Sequence, residues 1–282
     1  MPLLITADIF SGRENPSFVI GDDAARTILP SLEENRATLA SLPRPPVLGY
    51  RGFRVTPVAV QDAPVPELFA SAEPEASLQV YDHPEIERRL IELTGQALRD
   101  DDLQALLISE FERTSRLGWR ELLSGGAAKC PPCNAADAPA YNPAFWNTPA
   151  RQPYNNCYNY ANNQATNTFA QPGRATGRPI TSLTCGGVQP SAQSDGLQPS
   201  AGFAGKLAPG KGWYVALVIW PGQDYHWYRQ DNVGCWSHKP GQTAARNTDN
   251  SGNPILDPRT CDRGPYTAFC TYMITGSWVT IQ

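Results

Sequence analysis

Apolar and polar positions alternate along Leu3–Phe10 as in a half-buried strand, and Gly12-Arg13-Glu14-Asn15-Pro16 supplies turn residues to end it. Asp22 and Asp23 stand before an apolar-periodic run and are expected to cap a helix reaching about Leu32. Strand character returns over Tyr50–Val60. Asp82 ahead of Pro84 predicts a helix from Pro84 to Thr94, because proline suits the first helical position. Between Asp100 and Leu123, the residues Leu103, Leu106, Leu107, Phe111 and Leu117 recur as a helical stripe, read as core packing. The pattern then changes. Pro, Gly and Asn fill Pro131–Asn156 and Gln171–Gly212, which read as loop. Trp213–Trp220 is a near-continuous apolar run and predicts a buried central strand. Tyr225–Gln230 and Cys235–Lys239 flank Asp231-Asn232-Val233-Gly234, a loop with hairpin chemistry. Phe269–Ile274 and Trp278–Ile281 are read as two more short strands. The expected fold class is α+β in both halves.

Composition divides the 282 residues near Gly125–Gly126. Before that point stand 12 basic residues, all arginine, and 20 acidic ones, with no cysteine; after it stand 11 basic, 7 acidic and all 7 cysteines. Asparagine rises from 2 to 13 across the same point. Two domains are therefore expected, an acidic accessory or regulatory domain over 1–125 and a Cys-rich domain over 126–282. No catalytic constellation stands in the first; His83, beside Pro84 and Glu85, is expected at the surface. The net charge of -4 argues for neither nucleic acid nor an acidic membrane surface as partner. No stretch approaches the roughly 20 apolar residues of a membrane helix. Met1–Phe10 lacks the basic and apolar regions of a secretory signal, so the expectation is a cytoplasmic protein or one exported by a leaderless route.

Cys157 lies in Tyr154-Asn155-Asn156-Cys157-Tyr158-Asn159-Tyr160, a loop entering a helix expected over Tyr158–Gln164. A thiol at a helix start faces unpaired backbone N–H groups and the positive end of the dipole, which favour thiolate. The same N–H groups suit an oxyanion, with Gln152, Asn155 or Asn156 as added donors. A thiolate nucleophile needs an imidazole to take its proton. His226 opens the strand after the buried one, and His238 falls near it across the hairpin, where it would orient the base. Asp249, Asp257 and Asp231 are alternatives for that third role, although Asp249 and Asp257 also read as turn residues.

Cys at a helix start, His on a strand and a polar residue on the following segment together resemble the papain-like cysteine hydrolase superfamily. The pattern is most similar to its bacterial cell-wall endopeptidase branch and to a poorly characterised bacterial group that shares Asn155–Ala161, Thr168–Gly173 and Asp224–Gly241. The resemblance covers about Asn142–Pro258 and lacks the Cys-Gly-Ser-Cys-Trp run of plant and lysosomal relatives. It implies a papain-like domain with an antiparallel sheet and a nucleophile-bearing helix. It also implies a thiol protease or amidase that cleaves an amide or peptide bond through a thioester, with no cofactor. The substrate would be a peptide, a protein or a peptidoglycan-like amide, and acyl transfer or deamidation is the related chemistry. The competing expectation is a non-catalytic module in which Trp213, Trp220, Trp227, Trp236, Tyr225 and Tyr228 line a peptide- or carbohydrate-binding groove. The other six cysteines form an even set that leaves Cys157 over. Cys130-Pro131-Pro132-Cys133 fits a redox pair, half of a structural zinc site completed from Cys185, Cys261 or Cys270, or part of a disulfide set; disulfides suit a loop-rich region best.

Overall fold

A computed structural model describes residues 1–41, 47–58, 67–69, 77–115 and 129–282. It shows the α+β class, in two compact units. The first holds Met1–Ile9, Asn15–Pro45 and Tyr50–Trp119; the second holds Phe10–Glu14, Pro46–Gly49 and Arg120–Gln282. Among the described residues, no helix is long and apolar enough to cross a membrane.

In the first unit, β1 (Leu3–Ala7), β2 (Ser17–Ile20), β3 (Phe53–Pro57) and β4 (Leu78–Val80) form an antiparallel sheet in the order β2-β1-β3-β4. Leu3, Ile5 and Ala7 are wholly buried, as their period of two requires. Among the described residues four α-helices accompany the sheet: α1 (Asp22–Glu34), α2 (Arg36–Ser41), α3 (Pro84–Leu98) and α4 (Asp101–Ser115). On α1 the buried residues are Ala25, Ile28 and Leu32, spaced as one helical stripe. Gly21, not an aspartate, occupies the cap position of α1; Asp22 and Asp23 lie in its first turn, where the dipole still favours them. Likewise His83, half-buried, occupies the cap position of α3 without a side-chain capping bond, with Pro84 at the first position as expected and Asp82 one residue outside at φ 62°. Leu107 and Phe111 of the α4 stripe are buried, while Leu103 and Leu106 are half-buried and Leu117 lies outside the described residues.

Glu87 of α3 is buried, and its carboxylate accepts from Tyr50 O–H (2.7 Å) and His83 N–H (2.9 Å). Burial outweighs these bonds and pushes its pKa up from 4.5 to about 7. The folded state thus binds a proton that the unfolded chain has released. This contribution to stability is present below about pH 4.5 and lost as pH rises through about 7. Denaturant midpoints for the first unit should fall over that window by the equivalent of roughly 3 kcal/mol or less, and Glu87→Gln should flatten the slope. An unchanged slope in the variant would remove Glu87 as its source.

In the second unit, β5 (Gln198–Ser200), β6 (Trp213–Trp220), β7 (Asp224–Gln230), β8 (Trp236–His238) and β9 (Ala268–Thr275) form an antiparallel sheet in the order β5-β9-β6-β7-β8. All eight residues of β6 are buried, as the apolar run predicts. The loop between β7 and β8 closes with Gly234 N–H donating to the Asp231 carbonyl (2.8 Å). Among the described residues the unit also holds three short α-helices, α5 (Pro143–Trp146), α6 (Cys157–Ala161) and α7 (Cys185–Ser194). Both α7 and β5 fall inside the stretch read as loop. Gly186, Gly187 and Pro190 mask the helix, which Thr184 caps through Gly187 N–H and which the disulfide Cys185–Cys270 ties to β9. Conversely, Trp278–Ile281 is not a strand. Its backbone is spent on loop contacts, with Thr280 N–H on the Asp195 carbonyl and the Val279 carbonyl on Gln164.

A segment from near the chain start belongs to this unit. Ser11, Gly12 and Arg13 donate their backbone N–H groups to the buried Asp224 carboxylate at 2.5 to 3.1 Å, and Tyr266 O–H adds a fourth bond at 2.6 Å. Only glycine fits at position 12, because a Cβ there would lie 2.5 Å from the Tyr225 ring.

Candidate functional site

Cys157 is the first residue of α6, as the local sequence dictates. Asn156 is its cap: the side-chain oxygen accepts from Tyr158 N–H (2.9 Å) and Asn159 N–H (3.1 Å), and Asn159 Oδ1 accepts from Asn156 N–H in return. The Asn156 amide nitrogen donates to the Gly12 and Ala170 carbonyls, both at 2.8 Å. Asn155 bonds the Arg151 carbonyl (2.8 Å) and Asn167 in both directions. Gln152 reaches the Gln242 carbonyl at 3.4 Å. The three amides weighed as oxyanion donors therefore hold the loop around α6.

The thiol has no exposed surface. Burial pushes Cys157 well above the ordinary thiol range, the Asp224 carboxylate pushes it further, and the Trp227 backbone N–H only partly opposes them. The dipole of a five-residue helix does not offset that desolvation, so the group stays a neutral thiol. Iodoacetamide at pH 5–8 should leave Cys157 unlabelled in the native protein and label it on unfolding. Selective native labelling below pH 7 would contradict the buried neutral state.

β7 and β8 bring His226 and His238 together, with Nε2 of His226 2.8 Å from Nδ1 of His238. His238 Nε2 lies 3.1 Å from the Thr248 carbonyl, which can only accept. With both rings neutral, His238 carries its proton on Nε2 and receives the bond from His226. Tyr228 stacks on His238 with centroids 4.9 Å apart, and Tyr266 lies 5.8 Å from His226. Strand alternation puts His226 and Tyr228 on one face of β7 and Tyr225, Trp227 and Arg229 on the other. The second face meets α6 through the Trp227–Tyr158 ring contact at 5.4 Å and the Arg229 bond to the Tyr160 carbonyl.

The aspartates weighed for the third role are occupied elsewhere. Asp231 pairs with Arg229 at 2.9 Å, both wholly buried. Asp249 accepts from the backbone N–H groups of Ser251, Asn253 and Asp262. Asp257 accepts from Arg259 N–H and Tyr272 O–H. Lys239, which no local motif marks, is buried with its ammonium on the carbonyls of Gln152 (2.6 Å), Asn155 (2.5 Å) and Gly241 (2.7 Å).

Two disulfides form, Cys130–Cys235 and Cys185–Cys270, leaving Cys133, Cys157 and Cys261 as thiols. This corrects three expectations. Cys130 and Cys133 are not a redox pair. The zinc set Cys130, Cys133, Cys261 and Cys270 is broken, because two of its members are oxidised. The six cysteines beyond Cys157 do not all pair, because Cys133 and Cys261 remain reduced. Among the described residues, no group of three or more His, Cys, Asp or Glu side chains is placed to hold a metal.

The aromatic groove is corrected as well. Tyr225, Trp227, Tyr228 and Trp236 are wholly buried, and Trp213 and Trp220 nearly so, because β6 and β7 are covered on both faces. Trp278 is exposed near the end of the chain, and two further exposed aromatics lie in the Pro- and Asn-rich stretch Pro131–Asn156. Phe145 and Tyr154 keep about two-fifths of their surface, and the Arg151 guanidinium lies 4.0 Å over the Phe145 ring.

No protein-family model matches the chain, and no solved structure does. The chain is 53% identical over 138 residues to insoluble matrix shell protein 1 of the mollusc Ruditapes philippinarum, a match covering 48% of this chain and 89% of that protein. A relative this similar, named for an insoluble shell matrix, overturns the expectations of a cysteine hydrolase, of a thiol protease, and of a bacterial protein.

Proposed function

The chain belongs to the family of insoluble matrix shell protein 1, and from that premise we propose that it is a non-catalytic, disulfide-stapled module that binds peptide or carbohydrate components of an insoluble matrix. The observation that carries this reading is the 53% identity over nearly the whole of a shell matrix protein. The interior of the second unit agrees with it. Asn155, Asn156, Asp224, Asp231, Arg229 and Lys239 spend their polar groups on the fold. Two disulfides suit a protein that works in an oxidising compartment.

Co-sedimentation of the full chain with cellulose, chitin and insoluble collagen tests the proposal, alongside an assay for new amino termini from a peptide mixture. Binding to at least one matrix, equal in wild type and Cys157→Ala, with no new amino termini, is the expected result. Peptide cleavage that Cys157→Ala abolishes would sink it.

A further inference from the structure

The second unit carries an exposed ridge whose chemistry names a partner class. Phe145 of α5 and Tyr154 are 40% and 43% exposed, and Arg151 lies between them in sequence. Arg151 stacks on Phe145 at 4.0 Å and donates to its carbonyl at 3.3 Å. The Tyr154 carbonyl accepts from Phe169 N–H (2.9 Å), and the Phe169 carbonyl accepts from Arg174 (3.0 Å). Phe169 is half-buried and Arg174 is exposed. These bonds tie together the segments that carry the two arginines and the two exposed aromatic rings. Asn167 and Phe169 sit at φ 58° and 50°, left-handed conformations that the Asn155–Asn167 bonds secure, so the loop is held in one shape.

The charge along this part of the chain is one-sided. Between Asp137 and Asp195 the sequence has no acidic side chain and three arginines, Arg151, Arg174 and Arg178, although the whole chain carries -4. Flat rings with exposed faces stack on the apolar C–H faces of sugars, and stacked guanidinium groups pair with carboxylate or sulfate. The arginines bond only neutral backbone carbonyls, so a neutral glycan would make no use of their charge, and a carboxylate-bearing peptide would make little use of the ring faces. Resting on the binding reading above, we propose that this ridge binds an acidic polysaccharide, one bearing uronate or sulfate groups on pyranose rings.

The experiment titrates the full chain against dextran sulfate, a polyuronate, neutral dextran and polyglutamate of matched charge density. Wild type should bind the two acidic polysaccharides, bind polyglutamate at least about tenfold more weakly, and leave neutral dextran unbound. Phe145→Ala with Tyr154→Ala should weaken polysaccharide binding about tenfold at an unchanged melting temperature, since both side chains are exposed. Arg151→Gln should lower the salt dependence of binding. Equal affinity for polyglutamate and dextran sulfate would overturn the proposal in favour of an acidic protein partner. Full binding by the aromatic double variant would also overturn it and place binding elsewhere. If wild type co-sediments with the insoluble matrices while these variants bind as it does, the ridge assignment falls and the module reading stands. If wild type binds no matrix and no polymer, both fall.

Discussion

Reducing the two disulfides should unfold the second unit at a much lower denaturant concentration. Cys130–Cys235 and Cys185–Cys270 close loops of 105 and 85 residues. In the chain-entropy account, either bridge taken alone restricts the unfolded chain by about 4–5 kcal/mol. The loops interleave in sequence, so the second bridge to form adds less than the first. A small domain is stable by only about 5–15 kcal/mol in total, so the loss should be decisive. One bridge anchors Cys130 at the start of the Pro-rich segment, and the other anchors Cys185 at the start of α7. Denaturant titration with and without a phosphine reductant measures the effect, and Cys185→Ala/Cys270→Ala isolates one bridge. A midpoint indifferent to reductant would show that packing alone sustains the unit.

The second large effect concerns Arg229 and Asp231. Both are wholly buried at 2.9 Å, and Arg229 also donates to the Tyr160 and Ala140 carbonyls and to Asn163. Burial outweighs the attraction of Arg229 and raises Asp231 above its ordinary pKa. The pair is therefore costly to break and of little net benefit over an apolar substitute. Asp231→Ala should destabilise the second unit by about 3–5 kcal/mol, because it strands a buried guanidinium. The paired change Arg229→Met/Asp231→Leu should recover most of that loss. Chemical denaturation of the three variants decides it. A single change costing under about 1 kcal/mol would mean that the carbonyls alone satisfy Arg229.

Cys157 shows where the local reading fell short. That a helix begins here was legible, because that depends on neighbours within a few residues; it runs over Cys157–Ala161 and not Tyr158–Gln164, and Asn156, weighed as an oxyanion donor, is its cap. The chemistry of Cys157 was not legible, because ionisation depends on how much water reaches the sulfur. The chain around it closes completely, and Asp224 adds negative charge. The six aromatics proposed as a groove failed for the same cause. An aromatic on a strand reads alike whether one face of the sheet or both are covered, and here both are.

By itself the sequence determined the elements whose pattern is local. The apolar run Trp213–Trp220 is β6, the Asp231–Gly234 turn joins β7 to β8, and Pro84 begins α3. Strand alternation and hairpin length likewise brought His226 and His238 within 2.8 Å. The tertiary structure alone decided the rest. It paired Cys130 with Cys235 across 105 residues instead of with its neighbour Cys133, and it set Ser11–Arg13 on Asp224, more than 200 residues away. It made α7 a helix despite two glycines and a proline, and it left Phe145 and Tyr154 at the surface. Periodicity records which side of an element is apolar. Which partner covers that side, and how far water is excluded, is settled only when distant segments meet.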